Sequence, residues 1–298
     1  MNPDLGGMLS HKISRSAAAV SAVTVLATLI ATLPAQAQTE TVLYSFCQRK
    51  YCYDGTLPSG SLVLNPNGNI YGVTMVGGAI GQGTLYGIKP DGTEEVLHSF
   101  GNAPGDGIFP YGLIADSKGD LYGTTKLGGA NGLENEGDGT VFKITAGVET
   151  ILYNFGATSS DGINPQAGVV RDTKGNLYGT TIGGGANGAG TVFKLTPAGV
   201  ETILHSFAKN GTDGNQADEM LTLDEKENVY GTTSYGGLNN AGIAFEISAA
   251  GTYTILYSFG TSASDGAYPF SSLTLDSAGN LYGTRRRAAR TMLEPCSS

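Results

Sequence analysis

The amino-acid sequence predicts an all-β fold, a β-propeller of about five four-stranded blades. Three observations support this prediction. Gly (46) and Pro (11) are frequent among the 298 residues and only 14% of residues are charged, which argues against helical bundles and coiled coils. A set of short motifs recurs at intervals of 51, 56, 52 and 52 residues. Each copy contains four short segments rich in β-branched and aromatic residues, as strands require.

Three motifs keep step through five copies of the repeat. The first is Tyr-Gly preceded by Leu, Ile or Val, with its tyrosine at Tyr71, Tyr122, Tyr178, Tyr230 and Tyr282. The second ends in a phenylalanine, at Phe46, Phe100, Phe155, Phe207 and Phe259. The third is an Asp-Gly pair, with its carboxylate at Asp54, Asp106, Asp161, Asp213 and Asp265. Motifs that recur in register indicate a repeat architecture.

The third copy shows the elements of one unit most clearly. Its strand-like segments are, in order, Gly168–Asp172, Asn176–Thr181, Gly190–Thr196 and Val200–Phe207. Gly175 lies in the link between the first two segments, where it can supply the positive φ of a hairpin turn. Strands of this length cannot bury both faces of one sheet, so neighbouring units must stack. Four antiparallel strands per unit are typical of a propeller blade.

The two ends of the repeat predict how the ring closes. Residues Thr39–Phe46 have the sequence of a fourth strand, whereas the last copy supplies only a first strand, Leu273–Asp276, and a second strand, Leu281–Gly283. We expect the N-terminal strand to close the incomplete last blade, because closure removes strand edges that would otherwise be exposed. The alternative is an open arc in which Thr39–Phe46 pairs with the first complete unit.

The N-terminal residues 1–37 have the pattern of a secretory signal peptide. Charged residues end at Arg15, an uncharged apolar run covers Ser16–Leu33, and Pro34–Ala37 has the Ala-x-Ala form of a cleavage site. A membrane anchor is the alternative, but the run is short and is diluted by Ser and Thr. We expect a secreted chain, periplasmic or extracellular, whose mature part has no transmembrane segment. Its formal charge of −9 makes nucleic acid a poor partner.

The C-terminal residues 285–298 break the repeat. An Arg-rich sequence stands where a Gly-rich loop and a third strand should follow Thr284. Codons chosen for Ala289–Ser298 and read two bases later encode Ala-Asn-Asp-Ala-Gly-Thr-Val-Phe-Glu, which is the missing third strand. We interpret residues 285–298 as a frameshifted repeat, and the alternative is a basic tail that binds an acidic partner. Residues 38–284 then form the repeat domain.

The segment Gly175–Phe207, GNLYGTTIGGGANGAGTVFKLTPAGVETILHSF, resembles the GloVer-type tandem repeat of secreted bacterial proteins almost letter for letter. The resemblance covers residues 39–284, in several copies that stay in register. It implies an exported repeat protein, often with a C-terminal sorting signal in relatives. It brings no activity with it, and this chain departs from those relatives because it ends without a recognisable anchor.

The five Asp-Gly aspartates are the first candidate binding residues. Equivalent loops would place their carboxylates around one rim of a ring, where they could bind Ca²⁺. In the alternative interpretation each aspartate caps its own turn and the glycine adopts a positive φ. Regular recurrence favours the turn, because a single functional site on a pseudo-symmetric ring usually breaks the symmetry.

Two features distinguish individual copies. The second copy has a longer acidic loop with Glu134, Glu136 and Asp138, which could contact a metal or a partner, or could be tolerated loop growth. Cys47 and Cys52 follow the first phenylalanine marker and can form a local disulfide in an oxidising compartment.

The two histidines of the repeat domain, His98 and His205, replace a tyrosine of the repeat, which favours packing over catalysis. The sequence contains no Ser/His/Asp constellation, phosphate loop or His-Glu-x-x-His motif. The favoured function is therefore a non-enzymatic scaffold that binds a glycan or a surface protein. The alternatives are a propeller enzyme acting on an extracellular glycan or lactone, and a truncated pseudogene product.

Overall fold

The structure is a computed structural model that describes residues 40–132, 137–262 and 265–287. Its regular structure in these ranges is a set of β-strands plus one 3-10 turn at Lys50–Cys52, so the all-β prediction is confirmed. The described residues from Leu43 onward belong to one compact unit. The described ranges contain no helix with the length and apolar character needed to cross a membrane. The predicted leader, residues 1–37, lies outside them.

The strands follow the five sequence copies, which we name repeats 1 to 5. Repeat 1 contains β1 (Thr56–Leu64), β2 (Ile70–Val76), β3 (Thr84–Ile88) and β4 (Glu94–Ser99). Repeat 2 contains β5 (Gly107–Ala115), β6 (Leu121–Gly128), β7 (Thr140–Thr145) and β8 (Val148–Asn154). Repeat 3 contains β9 (Gly162–Ile163), β10 (Val170–Arg171), β11 (Leu177–Thr181), β12 (Gly183–Gly184), β13 (Thr191–Leu195) and β14 (Glu201–Ser206).

The remaining strands belong to the last two repeats. Repeat 4 contains β15 (Gly214–Asn215), β16 (Thr222–Leu223), β17 (Val229–Thr233), β18 (Tyr235–Gly236), β19 (Ile243–Ile247) and β20 (Tyr253–Ser258). Repeat 5 contains β21 (Ala267–Pro269), β22 (Thr274–Leu275), β23 (Leu281–Tyr282) and β24 (Arg285–Arg287).

In repeats 1 to 4 the main strands pair antiparallel in the order of the sequence. The sheets run β1-β2-β3-β4, β5-β6-β7-β8, β10-β11-β13-β14 and β16-β17-β19-β20. In repeats 3 and 4 the outer parts of the first and second strands form the separate pairs β9–β12 and β15–β18. A series of four-stranded meanders of this kind is β-propeller-like.

The glycine of the Tyr-Gly motif is required by an aromatic residue on the neighbouring strand. In repeat 3, Gly179 on β11 pairs with Phe193 on β13. A Cβ atom on Gly179 would lie 2.5 Å from Cζ of Phe193, too close for any larger residue. Gly231 and Phe245 repeat this relation in repeat 4, again at 2.5 Å. The motif therefore recurs because each sheet places an aromatic ring over its second strand.

The hairpin between the first and second strands is closed by an aspartate. In repeat 3, Asp172 Oδ1 accepts hydrogen bonds from the backbone N–H groups of Lys174 (2.9 Å) and Asn176 (2.8 Å). Gly175 has a φ of +89°, which confirms the predicted positive φ. The Tyr178 hydroxyl donates to Asp172 Oδ2 at 3.1 Å, so the motif tyrosine braces this turn.

The hydrophobic core lies between consecutive sheets. Buried side chains from repeats 1 and 2 form one cluster, those from repeats 2 and 3 a second, and those from repeats 3 and 4 a third. In repeats 1 to 3 the phenylalanine after the fourth strand packs on an aromatic ring of the next sheet. The ring centroids of Phe155 and Phe193 are 5.1 Å apart, and both residues are fully buried. Each sheet thus buries its apolar face against its neighbour, as the sequence predicts.

The predicted closing strand at Thr39–Phe46 is wrong for the part that the structure describes, because residues 40–46 form no strand. In complete repeats the fourth strand pairs with the third, as β14 does with β13. Repeat 5 has no Gly-Thr-Val-Phe sequence to supply a third strand, so residues 40–46 have no equivalent partner. The sheets are therefore not closed within the described ranges.

Repeat 5 forms two short strand pairs, β22–β23 and β21–β24. The strand β24 consists of Arg285–Arg287 and takes the place that β12 and β18 take in repeats 3 and 4. The first residues of the Arg-rich tail are therefore part of the sheet structure. Residues 288–298, which contain most of the predicted frameshift, lie outside the described ranges.

Candidate functional site

The Asp-Gly aspartates are held by two kinds of hydrogen-bond donor. Asp161 Oδ2 accepts from the hydroxyl of Tyr153 and from the backbone N–H of Ala157, both at 3.0 Å. A loop N–H group and the tyrosine or histidine before the phenylalanine marker also surround Asp54, Asp106, Asp213 and Asp265. Among the described residues, no two of the five aspartates share a hydrogen-bond partner. The structure therefore places each aspartate in its own cluster, and the clusters of Asp106, Asp161 and Asp213 lie between two four-stranded sheets.

Four of the five clusters are completed by a residue of the following sheet that was not predicted from the sequence. This position, at the start of the fourth strand, holds Glu94, Glu149, Glu201 and Tyr253. The Tyr153 hydroxyl of repeat 2 lies 3.2 Å from Glu201 Oε2, so one hydroxyl links the carboxyl groups of Asp161 and Glu201. Burial, together with the nearby Asp161, raises the pKa of Glu201 to about 7. The recurrence of a charged residue at the start of the fourth strand could have indicated this position from the sequence.

The histidines occupy the tyrosine position in two of these clusters. His205 Nε2 lies 3.0 Å from Asp213 Oδ2, and the imidazole stacks on the ring of Tyr253 at 3.6 Å. The Tyr253 hydroxyl donates to the other oxygen of Asp213 at 2.7 Å. His205 thus both packs and forms a hydrogen bond. His98 occupies the equivalent position between repeats 1 and 2.

The other predicted site residues lie away from these clusters or outside the described ranges. Glu134 and Glu136 fall outside the described residues. Asp138 is half-buried, and its backbone carbonyl accepts a hydrogen bond at 2.8 Å from the following repeat. Cys47 and Cys52 are joined by a disulfide, with their Cα atoms 4.0 Å apart.

A cavity of about 430 Å³ lies where the first-strand segments of all five repeats meet, and we call it the first-strand cavity. Each repeat contributes the segment that follows its Asp-Gly pair. The lining residues are Ser59, Gly60, Ser61, Tyr111, Gly112, Gln166, Ala167, Gly168, Asp218, Glu219, Met220, Phe270 and Ser272. None of them is among the site residues predicted from the sequence.

One position of the repeat is different in every copy, and it lines this cavity. Five residues after the aspartate of each Asp-Gly pair stand Ser59, Tyr111, Gln166, Asp218 and Phe270. By contrast, the glycines and phenylalanines that pack the sheets recur from copy to copy. The repeat is therefore uniform where it builds the core and individual where it surrounds the cavity.

Glycines allow the first strands to approach each other at the cavity. A Cβ atom on Gly60 would lie 2.5 Å from Cα of Gly112, and one on Gly112 would lie 2.4 Å from Cα of Gly168. Ser61 Oγ lies 3.4 Å from Sδ of Met220, so repeats 1 and 4 also meet there. Residues from repeats that are distant in sequence are thus brought to one place.

Repeat 4 places two adjacent carboxyl groups in the cavity wall. Asp218 Oδ1 accepts a hydrogen bond of 2.7 Å from the Ser234 hydroxyl, and burial raises the pKa of Asp218. Burial and the neighbouring Asp218 raise the pKa of Glu219 to about 7. Glu219 can therefore exchange a proton near neutral pH. Repeat 4 departs from the other copies at this point of the sequence, because Ala217 replaces their proline, and this departure could have indicated the site.

A sequence model of one protein family matches this chain. The family is described as the Gloeobacter/Verrucomicrobia repeat, and the matched residues are 27–145 and 133–291. No curated protein matches the chain.

Several solved structures are similar in fold. The extracellular domain of a candidate one-component system from B. thetaiotaomicron has a TM-score of 0.50 and 11% identity, over 76% of this chain and 26% of that chain. A luciferin-regenerating enzyme has a TM-score of 0.47 and 15% identity, over 76% of this chain and 70% of that one. A candidate gluconolactonase has a TM-score of 0.46 and 16% identity, over 76% and 71%. At sequence identities this low, the likeness is a likeness of fold and says nothing about function.

Proposed function

The chain belongs to the Gloeobacter/Verrucomicrobia repeat family, and on that premise we propose an exported five-bladed β-propeller that binds a small polar molecule in its first-strand cavity. Five sequence copies, and five first-strand segments around one cavity, support the blade number. The leader pattern of residues 1–37 supports export. In this proposal the protein acts outside the inner membrane as a non-enzymatic interaction scaffold.

The observation that carries the proposal is the difference between copies at the cavity. A pseudo-symmetric ring can recognise an asymmetric ligand only if equivalent positions carry different side chains. Here a hydroxyl, a phenol, an amide, a carboxyl and a phenyl group occupy one repeat position. Packing alone does not require such variety, because the same copies keep their core residues nearly constant.

The composition of the wall favours a carbohydrate of one or two sugar units. A volume of about 430 Å³ lies within the range of small-ligand sites. Asp218 and Glu219 offer acceptors for sugar hydroxyl groups, and Gln166 offers both a donor and an acceptor. Tyr111 and Phe270 supply aromatic rings of the kind that pack against the apolar face of a sugar.

Calorimetric titration of the full chain with neutral mono- and disaccharides tests the proposal. The double variant Asp218→Asn, Glu219→Gln keeps side-chain size but removes both charged acceptors. We expect it to weaken binding tenfold or more, since hydrogen bonds to charged groups contribute about 1.5–3 kcal/mol. The control is Glu225→Gln, the same chemical change at an exposed position of the same repeat.

Two results would overturn the proposal. One is wild-type protein that binds none of the sugars at millimolar concentration. The other is a double variant that binds as tightly as the Glu225→Gln control, because the sugar would then lie elsewhere.

A second candidate function, hydrolysis of a sugar lactone, is favoured by the pKa of Glu219, which is about 7. A carboxylate with this pKa can act as a general base at neutral pH. Glu219 would take a proton from water as the water oxygen bonds to the lactone carbonyl carbon. The ring C–O bond then breaks, and the leaving oxygen takes a proton to give a hydroxy acid.

Acid release from an aldonolactone, followed by titration at constant pH, distinguishes this function from binding. Enzymatic turnover should exceed spontaneous hydrolysis and should be lost in Glu219→Gln, which still offers a polar side chain to the ligand. Acid release that is unchanged by Glu219→Gln would exclude Glu219 as the base. Sugar binding without turnover would leave the scaffold function as the better description.

A further inference from the structure

We propose that His98, Asp106 and Glu149 bind one Zn²⁺ ion between repeats 1 and 2. His98 lies on β4, Asp106 immediately precedes β5, and Glu149 lies on β8. One ligand atom of each lies within 4.8 Å of those of the other two. This site is distinct from the first-strand cavity, since none of its three residues lines that cavity.

The distances leave room for an ion. His98 Nε2 lies 3.6 Å from Asp106 Oδ2 and 3.5 Å from Glu149 Oε2, so neither pair forms a normal hydrogen bond. Zinc binds histidine nitrogen and carboxylate oxygen at about 2.0–2.2 Å in tetrahedral geometry, which separates neighbouring ligand atoms by about 3.4 Å. The two distances from His98 Nε2 to the carboxylate oxygens are close to that value.

His98 Nε2 and one carboxylate oxygen of each acidic residue lack partners within the described residues. His98 Nε2, Asp106 Oδ1 and Glu149 Oε1 are all buried and form no hydrogen bond there. The Asp106 side chain is only 3% exposed, so water contributes little to its solvation. Buried polar atoms without partners are unfavourable, and a bound cation would satisfy all three groups.

The other clusters serve as internal comparisons, because each contains a tyrosine hydroxyl that donates to its aspartate. Glu94, Asp161 and Glu201 in those clusters also have buried oxygens without a hydrogen bond, so the donor set, and not the lack of partners alone, distinguishes the cluster of His98. Tyr44 donates to Asp54 at 2.7 Å. The Tyr153 hydroxyl links Asp161 to the carboxyl group of the next repeat.

In the cluster of His205, the partner from the next repeat is a tyrosine, which donates to Asp213 at 2.7 Å. Only the cluster between repeats 1 and 2 combines an imidazole with two carboxyl groups and no hydroxyl, among those fully described. Metal binding requires ionised carboxyl groups and a neutral imidazole; in that state the three side chains carry a formal charge of −2, which one divalent cation balances.

The donor set selects the metal. An imidazole nitrogen with two carboxylate oxygens suits Zn²⁺ and neighbouring transition metals, whereas Ca²⁺ and Mg²⁺ prefer sites built from oxygen alone. Three protein ligands leave a fourth tetrahedral position for water. The position of the site between two sheets implies that the ion would join repeat 1 to repeat 2.

The experiment compares two variants of the full chain, His98→Tyr and His205→Tyr. Each restores the tyrosine found at the same position in the other repeats, so each is compatible with the fold. The chain is stripped with a chelator and titrated by calorimetry with Zn²⁺, and separately with Co²⁺ while its visible absorption is recorded. Ca²⁺ is the third titrant.

We expect wild-type protein and His205→Tyr to bind one equivalent of Zn²⁺ and to develop the visible bands of tetrahedral Co²⁺. His98→Tyr should lose both signals and keep its thermal transition, which shows that the loss is not unfolding. Ca²⁺ should give no comparable heat. The proposal is overturned if wild-type protein binds no Zn²⁺, or if His98→Tyr binds as much Zn²⁺ as His205→Tyr does.

Discussion

Substitution of a single marker phenylalanine tests whether the sheets share one core. Phe155 follows the last strand of repeat 2 and is fully buried against repeat 3. Its ring centroid lies 5.1 Å from that of Tyr153 in its own repeat and 5.1 Å from that of Phe193 in the next. Phe155→Ala removes this ring from between two sheets and leaves a cavity that neither sheet can fill alone.

The expected loss of stability is large. Truncation of a buried phenylalanine to alanine costs about 3–5 kcal/mol, and complete burial between two rigid sheets places Phe155 near the middle of that range. In a protein of this size each kcal/mol lowers Tm by about 2–4 °C, so we expect a Tm that is lower by about 8–16 °C. The unfolding transition should stay single, because the core clusters link consecutive repeats.

The assay is thermal unfolding followed by circular dichroism in the far and near ultraviolet. The control is Phe270→Ala, since Phe270 is 50% exposed and should contribute about 1 kcal/mol. The reasoning is refuted if Phe155→Ala lowers Tm no more than the control does. It is also refuted if the two spectral regions report separate transitions, since the repeats would then unfold as independent units.

Two further substitutions probe other features of the repeat. Gly179→Ala should destabilise the protein by about 2 kcal/mol or more in urea unfolding, because the new Cβ would lie 2.5 Å from the Phe193 ring. Gly251→Ala, whose Cβ would meet nothing within 4 Å, should cost only about 1 kcal/mol from its positive φ. Glu201→Gln should be more stabilising at pH 8 than at pH 4. The folded chain keeps the Glu201 proton up to about pH 7 and the unfolded chain releases it near 4.5, so wild-type stability falls across that interval; equal differences at both pH values would contradict this.

The framework of the fold could be predicted because one contact is made many times. Gly179 needs to be glycine for the same reason as Gly231, since an aromatic ring on the next strand occupies the space of a side chain. Because the second and third strands of each sheet make this contact again, the same residue type recurs at this position of the sequence. The strands of repeats 1 to 4 and the core between their sheets could therefore be predicted from the recurring motifs.

The candidate sites could not be predicted in the same way, because they lie where the copies disagree. Asp218 belongs to a position with no consensus, and its neighbours in the cavity come from other repeats. Glu149 follows the consensus, but its significance depends on His98, which replaces a tyrosine about 50 residues earlier. Recognition of either site requires knowing which repeats are adjacent in space.

The failed prediction of the closing strand follows from what is missing in repeat 5. Phe100, Phe155 and Phe207 are fully buried, but Phe259 is only half-buried. A mainly apolar cavity of about 500 Å³ lies beside it, lined also by Leu256. In complete repeats the aromatic residue of the next third strand fills this space, as Phe193 does against Phe155.

Restoration of a third strand should therefore close this gap. Replacement of residues 285–298 by the sequence of residues 181–196 supplies Gly-Thr-Val-Phe at the correct distance from Tyr282. Burial of one phenylalanine contributes about 2–3 kcal/mol, so Tm should rise by roughly 5–10 °C. Amide hydrogens of residues 40–46 should become protected from exchange, because a partner strand is now present. The control carries Ala in place of the introduced phenylalanine; if it is as stable as the restored chain, the apolar gap is not what leaves residues 40–46 without a strand.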